Sequence, residues 1–235
     1  MANVAINGFG RIGKQFFLAA LESNAKWNFF INHPEDLNHI VYSLKYDSVH
    51  ETIKNVSHDG DNLIVNGKKI KVFHELDPEK LPWRREKIDL VIECTGIFTE
   101  REGAIKHINA GAKRVLISAP AHGHDSCIAF GVNNNDLKKN HQIVSASSCT
   151  TNCIAPMISV LHNNFKIVNA HFITAHAYTA TQKLIDGDDK KDMRRGRAAA
   201  MNIVPSTSGA TKSILEIFPD LRDKIDGFAL RIPVV

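Results

Sequence analysis

Short apolar runs alternate with helical patterns over roughly the first 120 residues. NVAING reads as a strand, followed by a helix from about Arg11 to Ser23 with Ile12, Phe16 and Leu21 among its apolar positions. WNFFIN is a second strand, DLNHIVYSL a helix, and NLIVNGKKIKVF a hairpin turning at Asn66-Gly67. IDLVIECTG is a continuous apolar strand, EGAIKHINAG a helix closed by Gly111, and KRVLISAP another strand. Strands that are apolar throughout and separated by helices need cover on both faces, which predicts an α/β fold with a doubly wound parallel sheet.

After Val144 the pattern changes. A helix over about Cys149–Asn163 leads to the strand IVNAHFITAH and then to a long polar, basic loop, Thr179–Arg197. NIVPSTSGATKSILEIF predicts a loop and a helix, and GFALRIPVV begins a strand that reads as unfinished at Val235. The expected organisation is a first domain over 1–148 and a partial α+β domain over 149–235, without internal repeats.

Composition narrows the class. The chain has 235 residues, 43% hydrophobic and 23% charged, ordinary values for a globular protein. No apolar run approaches the ~20 residues of a membrane helix, and VAINGFG at the start lacks the plan of a signal peptide. A cytoplasmic protein is the simplest expectation, with no membrane partner. A net charge of +4 is mild; the basic cluster at Lys190–Arg197 suits small anionic phosphates as well as nucleic acid, with a solvated loop as the plain default and nucleic acid ranked low. Cys94, Cys127, Cys149 and Cys153 form neither a secreted framework nor two pairs at zinc spacing, so reduced thiols and no metal are expected.

INGFGRIG holds Gly8, Gly10 and Gly13 in G-x-G-x-x-G spacing, between a predicted strand and a predicted helix. Glycines there let the backbone turn tightly and approach a pyrophosphate whose charge faces the helix N-terminus. A glycine-rich turn without ligand is the plainer alternative; the strand–turn–helix context favours a dinucleotide site and a Rossmann-like sheet. Such sites place an acid about 20 residues on, gripping the ribose diol of NAD. Here the second strand ends at Ile31-Asn32 and the next residue is His33, with Glu35 and Asp36 only after Pro34. An imidazole lacks the two acceptor oxygens of a carboxylate and tolerates a 2′-phosphate better, so the choice between NAD and NADP stays open.

The other stretch with chemistry is SSCTTNC, residues 147–153. Ile154, Met157, Ile158 and Leu161 follow at helical spacing, which places Ser148 as N-cap and Cys149 in the first turn. Unpaired amides and the helix dipole favour a thiolate there, hence a nucleophile. Cys153, one turn deeper, is expected to face the packed side. The hydroxyls of Ser148, Thr150 and Thr151 can donate to an oxyanion or a phosphate. A capped helix carrying an inert cysteine is the alternative on this stretch alone. HFITAHAYTATQ supplies a candidate base, His176, at a strand end, although most of the 12 histidines must be surface or structural. Thr179 and Thr181, with Arg194, Arg195, Arg197 and Arg231, make a double phosphate site; an ordinary surface charge is the alternative for any one of them.

The segments INGFGRIG, KYDSVH, ECTGIFT, SCTTNC, HAYTATQ, RRGRAAAMNIVPSTSGA and FALRIP together resemble the phosphorylating glyceraldehyde-3-phosphate dehydrogenases, in the family's order and across essentially the whole chain. The resemblance implies a glycolytic oxidoreductase and a homotetramer at full length. Cys149 would attack the aldehyde of glyceraldehyde 3-phosphate, hydride would pass to the nicotinamide of NAD(P), and inorganic phosphate would release 1,3-bisphosphoglycerate from the thioester. His176 would raise the nucleophilicity of Cys149 and act as acid–base, and the Cys149 amide would help hold the oxyanion. By the same resemblance Thr179, Thr181 and Arg231 match the substrate-phosphate site. Ser148, Thr150, Ser208 and Gly209, with Arg195, match the site of the attacking phosphate. Arg11, Ile12, Thr95, Gly96, Phe98 and Ser118 align with cofactor contacts. Erythrose-4-phosphate dehydrogenase shares the cysteine and glycine motifs, but Tyr178, Thr179 and Thr181 favour the triose enzyme.

Departures from the family's pattern are specific. His33 stands at its ribose-binding Asp and Leu76 at its Arg before Asp-Pro. Glu51 stands at a usual Gly, Ser145-Ala146-Ser147-Ser148-Cys149 replaces SNASC, and Ser208-Gly209 replaces Thr-Gly. Family chains also continue past the point matching Val235. His33, Leu76 and the missing continuation support a second reading, a truncated, non-catalytic dinucleotide-binding remnant or interaction protein, while the intact Cys149–His176 pair and phosphate-site hydroxyls support the enzyme.

Overall fold

The computed structural model describes residues 1–23, 25–50, 53–190 and 192–235; Glu51 lies outside the described residues. Residues 1–128 with 134–147 form one compact unit, and residues 129–133 with 148–235 form another.

In the first unit, β1 (Ala2–Asn7) leads through α1 (Arg11–Glu22) to β2 (Trp27–Asn32), and α2 (Leu37–Lys45) follows. Then come β3 (Val56–Asp59), β4 (Asn62–Val65), β5 (Lys68–Phe73), β6 (Leu90–Glu93), α3 (Arg101–Asn109), β7 (Val115–Ile117), β8 (Ser126–Cys127) and β9 (Ile143–Ser145). The sheet order is β3-β4-β5-β2-β1-β6-β7-β9-β8. Pairing is parallel from β5 to β8 and antiparallel at β3–β4 and β4–β5.

The apolar runs are buried on both faces because successive side chains point opposite ways. In β1, Val4 and Ile6 join a core with Phe17, Ile31 and Ile40, while Ala5 joins another with Trp83, Val91 and Val115. Each large apolar side chain so buried contributes about 1.5–3 kcal/mol. β1 pairs with β2 on one side and β6 on the other, so the chain reverses its winding there and a crevice opens at the strands' carboxyl ends.

In the second unit, α4 (Cys149–Phe165), β10 (Ala170–Ala177), β11 (Val204–Thr207), α5 (Ala210–Ile217) and β12 (Ile225–Ile232) follow in order. β12 lies between β10, which it pairs in parallel, and β11, antiparallel. The two helices pack on this sheet through Ile154, Ile158, Ala210, Ile214 and Ile225.

Several expectations need correction. Strands β3, β8, β9 and β11 carry too few alternating apolar positions to stand out, and β11 contains Pro205, which an edge strand tolerates. β12 ends at Ile232, before Pro233, so Val235 is not in mid-strand. On α4 the buried stripe is Thr151, Ile154, Ala155, Ile158 and His162. Cys153 belongs to the adjoining row with Met157 and Leu161 and is exposed rather than packed; Met157 and Leu161 are themselves 52% and 50% exposed. Among the described residues no helix is long and apolar enough to cross a membrane.

Candidate active site

The crevice of the first unit is built by the loop between β1 and α1. Gly8 has φ +91°, and a Cβ there would lie 2.8 Å from the Thr95 amide nitrogen, so only glycine lets the two loops pass. A Cβ on Gly13 would strike the Gly8 carbonyl oxygen, which keeps α1 close to the strand. The N-cap of α1 is Gly10, with no side chain to cap the first-turn amides, an arrangement suited to an anion. Beside it lies a cavity of about 250 Å³ lined in part by Gly8, Gly10, His33, Thr95 and Phe98, with Leu76 at its wall. These features fit a dinucleotide.

Other residues singled out in the sequence lie off this cavity's lining. Arg11 reaches Asp47 at 2.6 Å, and that hydrogen bond holds the Asp47 carboxyl far below its ordinary range. Ile12 is exposed, and the Ser118 hydroxyl donates to the Glu93 carbonyl at 2.9 Å. Gly96 occupies the loop after Thr95 at φ +71°. His33 Nδ1 accepts the Phe9 amide at 3.2 Å, and burial pushes its pKa down, which favours a neutral ring with its proton on Nε2. Toward a ribose oxygen such a ring offers one donor and no acceptor.

In the second unit Ser148 caps α4: its hydroxyl oxygen accepts the Thr151 amide at 3.0 Å. Cys149 is thereby set in the first turn, exposed. Its Sγ lies 3.3 Å from His176 Nε2. His176 is carried by β10, and the parallel register places it directly opposite Arg231 of β12. His176 Nδ1 lies 2.7 Å from the Ala177 carbonyl oxygen and 3.0 Å from Arg231 Nη1, which also donates to that oxygen at 3.3 Å. Both contacts cannot use Nδ1 in the same sense. A bare Nδ1 would set two lone pairs face to face at the shorter distance, so we assign the proton to Nδ1, donated to Ala177. Nε2 is then free to take the Cys149 proton.

The surroundings are electropositive. Arg231 is held below its ordinary pKa, first by burial and then by the like charge of Arg195. Among the described residues, the Nε atoms of Arg231 and Arg195 are both buried without a hydrogen-bond partner, as is Ser206 Oγ. Donors left in that condition suit a polyanion that takes them up. Thr179 and Thr181 hydroxyls meet at 2.9 Å, and Ser208 Oγ accepts the Ala210 amide at 3.3 Å beside Gly209, the N-cap of α5. Thr150 lies in the first turn of α4, half-buried.

Two family models match the chain: "Glyceraldehyde 3-phosphate dehydrogenase, NAD binding domain" over residues 2–101 and "Glyceraldehyde 3-phosphate dehydrogenase, C-terminal domain" over residues 148–235. The chain belongs to the glyceraldehyde-3-phosphate dehydrogenase family. It is 46% identical to glyceraldehyde-3-phosphate dehydrogenase 2 of Trichormus variabilis, over 99% of this chain and 70% of that protein. It is 48% identical to glyceraldehyde-3-phosphate dehydrogenase of Geobacillus stearothermophilus, over 98% of this chain and 69% of that protein. The match to the enzyme of Streptomyces coelicolor is also 48%, over 98% and 69%. NAD is accordingly the cofactor of the first unit.

Within that family frame, the cavity also includes Asn7, Asn32, Glu75 and Ile97, which the sequence reading passed over. The available signal was position. Asn7 and Asn32 end apolar strands of the parallel sheet, where side chains meet the crevice. No observation favours the non-catalytic alternative.

Proposed function

We propose that this chain is a phosphorylating glyceraldehyde-3-phosphate dehydrogenase that works through a thioester on Cys149. The observation that carries the reading is Cys149 Sγ at 3.3 Å from a His176 Nε2 free to accept its proton. Cys149 sulfur bonds to the aldehyde carbon of glyceraldehyde 3-phosphate as His176 takes the thiol proton, and His176 passes that proton to the oxygen that develops negative charge. When bound, the nicotinamide of NAD supplies the acceptor for the hydride that leaves this carbon. His176 removes the hydroxyl proton as the carbonyl re-forms, leaving the thioester. Inorganic phosphate then attacks, and the sulfur departs.

Arg231, Thr179 and Thr181 receive the phosphate of the substrate, and Ser148, Thr150, Arg195, Ser208 and Gly209 receive the attacking phosphate. The Nε atoms of both arginines, buried and without a partner among the described residues, support these assignments. Gly8, Gly10, Arg11, Ile12, Gly13, Thr95, Gly96, Phe98 and Ser118 serve the cofactor. His33 in place of an acid admits a 2′-phosphate, so NADP is used beside NAD. At full length the protein is a cytoplasmic homotetramer, with a 1–148 cofactor domain and a catalytic domain from 149.

Mass spectrometry of the chain with glyceraldehyde 3-phosphate and NAD, without phosphate, tests this reading. The expected product carries the acyl group on Cys149, and added phosphate removes it. An unmodified Cys149, with no absorbance rise at 340 nm, would sink the proposal.

A further inference from the structure

Buried polar side chains run across the carboxyl ends of β2, β1 and β6, and neither the glycine fingerprint nor the cysteine site uses them. Glu93 ends β6 with 1% exposure. Its Oε2 accepts from Asn7 Nδ2 at 2.6 Å and from His107 Nε2 at 3.0 Å. Its Oε1 accepts the Thr95 amide at 2.7 Å and the Thr95 hydroxyl at 2.5 Å. Asn7 Oδ1 in turn accepts Asn32 Nδ2 at 2.7 Å, and Asn32 Oδ1 accepts the Glu75 amide at 2.9 Å. The Thr95 hydroxyl also accepts the Ile97 amide at 3.0 Å. Five of these residues, Asn7, Asn32, Glu75, Thr95 and Ile97, line the dinucleotide cavity.

The far end of the network is closed by an unambiguous donor. Trp83 Nε1, fully buried, donates to His107 Nδ1 at 3.0 Å. An indole nitrogen can only donate, so His107 Nδ1 accepts and its ring proton sits on Nε2, directed at Glu93. Glu93 therefore collects four neutral donors, which together tie the loop after β1 to the loop after β6. An apolar residue at the end of this strand would pack without desolvating a carboxyl group, so packing gives no reason for an acid here. A rigid set of acceptors facing Asn7 and Thr95 does.

We infer that Glu93 is a positioning residue for the dinucleotide, holding Asn7 and Thr95 in the geometry the cofactor binds and linking the cleft to the His107–Trp83 pair. This rests on the cofactor reading of the cleft. Glu93→Gln puts an amide donor against either Asn7 and His107 or the two Thr95 donors, so one side of the cavity must shift. The dissociation constant for NAD rises roughly tenfold or more, the size expected when a buried acceptor is lost. The kcat at saturating NAD and the KM for the aldehyde stay within about twofold of the parent chain, because Glu93 touches neither reacting atoms nor substrate.

The second readout needs no Glu93 variant. In a chain labelled with 15N-tryptophan, the indole resonances of Trp27 and Trp83 are separated by the Trp27→Phe variant. Adding NAD moves the Trp83 resonance and leaves that of Trp27 in place; in Glu93→Gln, where it folds, the Trp83 response is lost. A Trp83 resonance unmoved at saturating NAD overturns the inference, as does a Glu93→Gln chain that binds NAD like the parent. A parent chain that fails to bind NAD at all overturns the cofactor reading itself, and this inference with it.

Discussion

Each of the four cysteines sits in a different environment, and reactivity should follow. Cys149 is exposed, in a helix's first turn and facing an imidazole nitrogen. Burial pushes the Cys94 thiol up to about 11, against the weaker opposing effect of a hydrogen bond with Ser118. Iodoacetamide at neutral pH is therefore expected to modify Cys149 first and to leave Cys94 unmodified, with peptide mapping as the readout. His176→Asn should slow the Cys149 reaction by roughly 10²-fold or more, since it removes the group that takes the proton. Equal, slow labelling of all four sulfurs would refute an assembled site. At the ribose end, His33→Asp supplies two acceptors for a diol and repels a 2′-phosphate. NAD binding should tighten about tenfold, by one charge-assisted hydrogen bond, while NADP turnover falls. Separate titrations of the two cofactors decide it, and unchanged preference would remove His33 from the selectivity argument.

At the scale of elements, the ends of helices and strands carry the chemistry while their middles carry the core. Asp125 shows how such an end is fastened. Its Oδ2 accepts the Gln142 and Ile143 amides at the start of β9, and Oδ1 takes Arg101 of α3 at 2.9 Å. Burial alone would raise its pKa; the two amides and the guanidinium outweigh that and lower it from 3.8 to about 2. A carboxyl whose folded pKa lies below its unfolded one stabilises the fold above the unfolded value and loses that contribution as pH falls through the folded one. Urea melts should show this loss between about pH 4 and pH 2. Asp125→Asn should cost about 1–3 kcal/mol near neutrality and flatten that part of the profile. A variant with the parent's profile would show that Asp125 has no such role.

For the molecule as a whole, exposed apolar side chains are scattered along the chain, and four of them share one helix. Met157, Val160, Leu161 and Phe165 of α4 are all at least half exposed, at spacings that bring them along adjoining rows. Apolar rows of that kind mark association surfaces. Light scattering of the full-length protein is expected to give a mass several times that of one subunit, and Leu161→Glu should shift it downward. A concentration-independent monomer would contradict the homotetramer.

Much of this was legible in order along the chain. The apolar runs of β1, β2 and β6 announced a sheet covered on both faces, and Asn66-Gly67 announced its hairpin, because side-chain period and turn geometry are local properties. The glycine fingerprint and the cap–cysteine pair at Ser148-Cys149 were legible for the same reason. Strands β3, β8, β9 and β11 were not, since strands this short exist only because neighbours offer them backbone partners. The face of α4 that carries Cys153 was misjudged because Met157 and Leu161, which follow it in the same row, are apolar, and which row is buried depends on where α5 and the sheet lie.

What the sequence by itself determined, then, is the set of reactive groups and the local turns that present them. Only the tertiary structure decided that His176 meets Cys149 through Nε2, that Arg231 stands beside it by strand register, and that Glu93 gathers donors from three separate segments. Apart from the Thr95 bonds to Glu93, those are contacts between residues 14 to 86 positions apart, and such contacts are set by packing and pairing rather than by the order of the residues.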